Sequence, residues 1–90
     1  MGKIGFTESG WEEYVYWQSQ DKKTVKKINN LIKDVSRNGA LLGIGKPEHL
    51  KGDLKEYYSR RIDDSNRLVY SVSENNEIEI QQCKGHYDDK

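Results

Sequence analysis

Between Asp21 and Asn38, apolar side chains recur at three- and four-residue intervals: Val25, Ile28, Leu31, Ile32 and Val35. Lys22, Lys23, Lys26, Lys27 and Lys33 fill positions between them. This spacing makes one apolar stripe on an α-helix and no coherent face on a strand. Asp21 is a natural N-cap, and Asn38-Gly39 is an ordinary stop. A helix of this kind must bury its stripe against another layer. The segment before it is also helical by spacing: Thr7 caps, Glu8 lies in the first turn, and Trp11, Tyr14, Val15 and Gln18 follow, with Trp17 nearby. Two helices in direct succession cannot be βαβ crossovers. Strands are expected at Lys3–Phe6, Tyr57–Ile62, Arg67–Ser73 and Glu77–Cys83, with turns at Asp63-Asp64-Ser65-Asn66 and Glu74-Asn75-Asn76. Residues 40–55, with Gly43, Gly45, Pro47 and Gly52, read as irregular. The order β-α-α-β-β-β predicts an α+β fold: a twisted, mainly antiparallel sheet with two N-terminal helices on one face.

Ninety residues make one domain, 1–90,. Hydrophobic residues are 33% of the chain, lean for a fold of this size, but two Trp and six Tyr supply large buried areas per residue,. No apolar run approaches the ~18 residues of a membrane span. No signal peptide is visible, and Phe6 stands where a myristoylation motif needs Ser or Thr. One cysteine, Cys83, cannot close an internal disulfide, so a reducing, cytoplasmic location is expected,. The formal net charge of zero conceals segregation. Residues 22–67 carry twelve Lys/Arg against six acids, whereas 1–21 and 68–90 are each net −3. A basic middle can hold a polyanion even in a neutral chain, or it can simply be a solvated helix face.

Alternation sorts the strand faces. Ile62, Leu68, Tyr70, Val72, Ile78 and Ile80 form the core set, so Arg61 and Arg67 point to the opposite, uncovered face. The short turn between them keeps the two guanidiniums close. Like charges on neighbouring strands are unfavourable without a counterion. An anion could supply it, or Glu48, Glu56 or an aspartate could neutralise the pair within the fold.

Several weak motifs fail. Gly43-Ile44-Gly45-Lys46 is too short for a P-loop and is followed by Pro47. His49, His86 and Cys83 lack metal-ligand spacing, so no metal or other cofactor is expected. Cys83 has no obvious activating partner and reads as a packed strand residue. What remains is Glu48 in the basic loop, Arg61 and Arg67 on the sheet, and His86-Tyr87 past the last strand. Carboxylate, imidazole and guanidinium are the groups that metal-free RNA cleavage needs. A ribose 2′-OH must lose a proton to attack its own 3′-phosphate, and the departing 5′-oxygen must gain one. The phosphorane between them carries extra negative charge, which arginine can meet with two forked donors. Each of these residues also has an ordinary surface role.

These residues sit within six sequence blocks: Trp11-Glu12-Glu13-Tyr14-Val15-Tyr16-Trp17-Gln18, Asp21-Lys22-Lys23-Thr24-Val25-Lys26-Lys27-Ile28-Asn29, Gly45-Lys46-Pro47-Glu48, Tyr58-Ser59-Arg60-Arg61-Ile62, Asn66-Arg67-Leu68-Val69-Tyr70 and His86-Tyr87. In that order they resemble, almost end to end, the YoeB/Txe toxins of type II toxin–antitoxin systems, within the RelE superfamily. The resemblance implies a fold like that of small microbial ribonucleases. It implies an mRNA endonuclease that enters the ribosomal A site, cuts the codon there and stops translation. It implies a YefM-type antitoxin that wraps the toxin, and contact with operator DNA only through that antitoxin. Family members are often homodimeric. Carried over by position, Glu48 is the general base and His86 the general acid. Arg67 stabilises the phosphorane, Lys51 and Arg61 position the phosphate, and Tyr87 orients the nucleotide or the imidazole.

The chain departs from the family pattern at three places. Asp88-Asp89-Lys90 follow the His-Tyr pair, moving the terminal carboxylate away from Tyr87. His49 stands where many relatives have a second proline, and Asn38-Gly39-Ala40 replaces a Pro-Phe turn. Two other functions compete with the nuclease. One is a non-catalytic toxin-like scaffold, serving as antitoxin partner and operon co-repressor. The other is a general RNA-binding protein that uses the lysine-rich helix.

Overall fold

The computed structural model describes residues 2–86. The described elements are β1 (Ile4–Phe6), α1 (Glu8–Gln20), α2 (Lys22–Asn38), β2 (Glu48–His49), a 3-10 turn (Gly52–Leu54), β3 (Tyr58–Arg61), β4 (Arg67–Val72) and β5 (Ile78–Gln82). The sheet runs β1-β5-β4-β3-β2. The β1–β5 pair is parallel and the other three are antiparallel. The α+β class, the two leading helices and the mainly antiparallel sheet are as expected. One element is new. Glu48–His49 forms a two-residue strand within the segment read as irregular, held by its register on Ser59 and Tyr58. Two residues have no period to read, so only the edge of β3 defines them.

Side chains set the helix boundaries. Thr7 Oγ1 accepts from Gly10 N at 3.1 Å and opens α1. Asp21 ends that helix and opens the next, accepting from Lys23 N at 3.0 Å and Thr24 Oγ1 at 2.9 Å. The stripe of α2 (Ile28, Leu31, Ile32 and Val35) is buried against Ile62, Leu68, Tyr70, Ile78, Ile80 and Cys83. Each such aliphatic side chain contributes about 1.5–3 kcal/mol by leaving water. α1 adds less. Tyr14 and Trp17 pack against the core, while Trp11 and Val15 stay exposed. Trp17 Nε1 donates to Cys83 O at 2.8 Å.

Gly10 lets α1 lie this close to β5. A Cβ there would stand 2.3 Å from Ile80 O, a backbone atom that cannot step aside. Gly10→Ala should therefore cost about 1–3 kcal/mol as an overpacking change. The urea midpoint should drop with an unchanged slope. A midpoint equal to wild type would mean that the helix is not pressed onto β5 at this residue.

Arg60 faces the helices and is fully buried. A guanidinium has five N–H donors, and five acceptors meet them here. Nη1 binds Asp34 Oδ2 and Ile44 O, the latter at 3.0 Å. Nη2 donates to Gly39 O at 2.8 Å and Leu42 O at 2.7 Å. Nε donates to Tyr70 Oη at 3.0 Å, and that hydroxyl in turn donates a hydrogen bond to Ala40 O at 2.6 Å. The 39–44 loop is thus wrapped around one arginine. Gly43 is required there: at φ +118°, a Cβ would fall on the Asp34 carboxylate.

Candidate active site

The loop held by Arg60 leads directly into Gly45-Lys46-Pro47-Glu48. Gly45 O accepts from Arg61 N at 2.6 Å, tying this loop to β3. Register then defines one face of the sheet. Glu48 lies opposite Ser59, and Arg61 lies opposite Arg67. Glu48, Ser59, Arg61 and Arg67, with Lys46, line one small cleft of about 80 Å³. The two arginines share this uncovered face, as alternation required. Larger concavities lie elsewhere, along β1 and beside the end of α2, but they carry neither arginine.

The turn between the arginines is built by Asp63, whose Oδ1 accepts from Ser65 N and Asn66 N, both at 2.8 Å. Burial works to raise its pKa, but those bonds, the Asn66 amide and the Arg67 charge hold the carboxyl below its usual range. Arg67 Nη1 donates to Asp63 O at 2.6 Å and Asn66 O at 3.1 Å. Arg61 pairs with Asp64. An aspartate therefore does neutralise one arginine in the free protein. Its side chain is 92% exposed, and such pairs are worth only ~0–1 kcal/mol,. An arriving phosphate can displace it.

The tail approaches the same turn. Arg67 N donates to Gly85 O at 3.0 Å, and Gly85 N donates to Asn66 Oδ1 at 2.7 Å. His86 Nε2 lies 3.2 Å from Asp64 O. Upstream, Glu13 Oε1 of α1 accepts from Cys83 N at 2.7 Å and Lys84 N at 3.1 Å. One carboxylate thus anchors the segment that leads to the imidazole.

The candidate residues do not all gather in one place. Glu48, Arg61 and Arg67 share the cleft, and His86 sits on the turn beside it. Lys51 is exposed, just ahead of the 3-10 turn, and does not line the cleft. Tyr87 lies outside the described residues. His49 turns away from Glu48 and stacks on Tyr58, with ring centroids 4.8 Å apart. Cys83 is buried, and burial together with the Glu13 charge pushes its thiol up to about 12, so it is no nucleophile,. Among the described residues, no group of three or more His, Cys, Asp or Glu could hold a metal ion. No helix among them is long and apolar enough to cross a membrane.

Two contributors were not singled out from sequence. Lys46 enters the cleft from the loop, and Glu13 clamps the tail from the first helix. Both lie inside matching blocks, which was the only available signal.

The chain matches the model of the YoeB-like toxin of bacterial type II toxin-antitoxin systems over residues 6–87. It is 51% identical to the toxin YoeB of Streptomyces coelicolor, over 94% of this chain and 99% of that one. It is similar to the YoeB dimer from Staphylococcus aureus, with a TM-score of 0.89 and 56% identity over 96% of this chain and 98% of that one. It is also similar to a chain of the heterotetrameric YoeB-YefM toxin-antitoxin complex of the same species, with a TM-score of 0.88 and 55% identity over 97% of this chain and 99% of that one.

Proposed function

The chain belongs to the YoeB family of bacterial type II toxins, and from that premise we propose that it is an endoribonuclease that cuts mRNA in the ribosomal A site. The observation that carries this reading is the cleft in which one carboxylate, Glu48, shares a face with Arg61 and Arg67. Glu48 takes the proton from the ribose 2′-OH, which attacks the adjacent 3′-phosphate. Arg67 meets the charge that builds on the phosphorane, and Arg61 leaves Asp64 to hold a phosphate oxygen. Lys51, outside the cleft lining, holds a neighbouring phosphate of the RNA. His86 returns a proton to the leaving 5′-oxygen, and Tyr87 orients the nucleotide or the ring. The chain's own side chains supply every proton and every countercharge, so no metal or cofactor takes part.

A domain of this size has little surface for reading a codon. The ribosome supplies orientation and affinity, so activity on free RNA is weak and activity on a presented codon is strong. The partner that restrains the enzyme is a YefM-type antitoxin, as in the Staphylococcus aureus complex. Operator DNA is reached only through that antitoxin, and the toxin pairs with a second copy as in the Staphylococcus aureus dimer. The cytoplasm, where ribosomes are found, is its place of action.

Toeprinting on translating ribosomes tests the reading. A new 3′ end inside the A-site codon is expected, unchanged by EDTA. Normal elongation with no cut, from folded protein that still binds its antitoxin, would leave only a non-catalytic partner and co-repressor.

A further inference from the structure

Three cations line the cleft, and two of them are already occupied. Arg61 is paired with Asp64, and Arg67 donates to the carbonyls of Asp63 and Asn66. Lys46 is different. It is exposed, and the ion pairs among the described residues are Asp34–Arg60 and Asp64–Arg61, neither of which involves it. Its ammonium makes no hydrogen bond within the described chain, although Glu48 lines the same cleft. Its backbone is also unusual. Lys46 sits at φ +50°, in the left-handed region that a residue with a Cβ enters at a cost,. Glycine flanks it at 45 and would fit 46 with less strain. A lysine held there, lining the same cleft as two arginines, brings an uncommitted positive charge to it.

We propose that Lys46 is a substrate-binding residue, the first cation to meet the phosphodiester that enters the cleft. The inference rests on the nuclease reading for the identity of the ligand, though not for the existence of an anion contact. Lys46 holds a non-bridging phosphate oxygen while Arg61 exchanges Asp64 for the other. Lys51, which does not line the cleft, is left to a flanking phosphate.

The test uses the full chain and programmed ribosomes whose A-site codon carries 2′-deoxyribose, so that the presented codon is bound but cannot be cut. Lys46→Gln should weaken binding about 10-fold, the lower end for a charge-assisted hydrogen bond at a wet site. The slope of log K against log salt should shallow by about 0.7, the value for one single-strand phosphate contact. Lys46→Arg should restore both. Lys46→Gly, which relieves the backbone, should melt no lower than wild type yet bind as poorly as Lys46→Gln. Unchanged affinity and slope in Lys46→Gln would overturn the proposal. So would wild-type protein that shows no salt-sensitive binding. The readouts separate the two claims. A wild type that cuts, with Lys46→Gln binding normally, sinks the lysine and spares the nuclease. The expected binding loss with no A-site cut by wild type does the reverse.

Discussion

Glu48→Gln should slow A-site cleavage by about 10²–10⁴-fold, the usual contribution of a positioned general base. The amide keeps the shape and the strand pairing of Glu48 with Ser59 but cannot accept the 2′-OH proton. The fold should be indifferent. Glu48 is exposed and makes no ion pair among the described residues, so its substitution belongs with surface changes of within ±0.5 kcal/mol,. Single-turnover cleavage on programmed ribosomes, alongside a thermal melt, gives both readings. The general-base role is wrong if the folded variant cuts at the wild-type rate. The same variant should still bind antitoxin, so loss of growth arrest cannot be assigned to misfolding.

The largest effect on stability is expected at Asp34 and Arg60. Asp34→Ala leaves a fully buried guanidinium without its counter-charge, a change that costs about 3–5 kcal/mol,. For a domain of this length each kcal/mol lowers Tm by roughly 4–8 °C, so a fall of well over 10 °C is expected by calorimetry. Replacing the pair together by Asp34→Leu and Arg60→Met should not recover it. Arg60 also satisfies the carbonyls of Gly39, Leu42 and Ile44, and a methionine removes the one donor group that ties these three together,. Recovery in the double variant would show that the loop does not depend on the arginine.

Asp34 also predicts a pH dependence. Burial favours its neutral form, but the hydrogen bonds from Arg60 and Ile44 N, and the Arg60 charge, outweigh this and lower its pKa. A carboxyl lowered by folding contributes its stability above the unfolded value of about 3.9. That contribution fades as pH falls through the lower, folded value. The gap in stability between wild type and Asp34→Ala should accordingly narrow below about pH 4. A gap that stayed constant to pH 2 would mean that Asp34 is not coupled to folding.

Arg60 shows how far a linear reading reaches. Alternation put Ile62 inside and Arg61 outside, and the same rule sends Arg60 inward, where an arginine looks like an error of pattern. Its five partners come from Asp34, from Tyr70 and from the loop carbonyls of Gly39, Leu42 and Ile44, residues scattered between positions 34 and 70. Nothing local announces them. The two-residue strand at Glu48 and the clamp of Glu13 on the tail are of the same kind, because each exists through a partner distant in sequence.

The local chemistry of the chain was enough to define both helices and their caps, the order of the long strands, the apolar face of each, and the shared outward face of Arg61 and Arg67. Side-chain period and capping act over a few residues and need no knowledge of the rest. Folding in three dimensions decided which charges are buried and which are free: Arg60 silent in the core, Arg61 and Arg67 tied to their turn, Lys46 and Glu48 left open in the cleft. Burial and pairing depend on what the chain brings back from far along its length, and a charged residue looks the same in sequence whichever fate it meets.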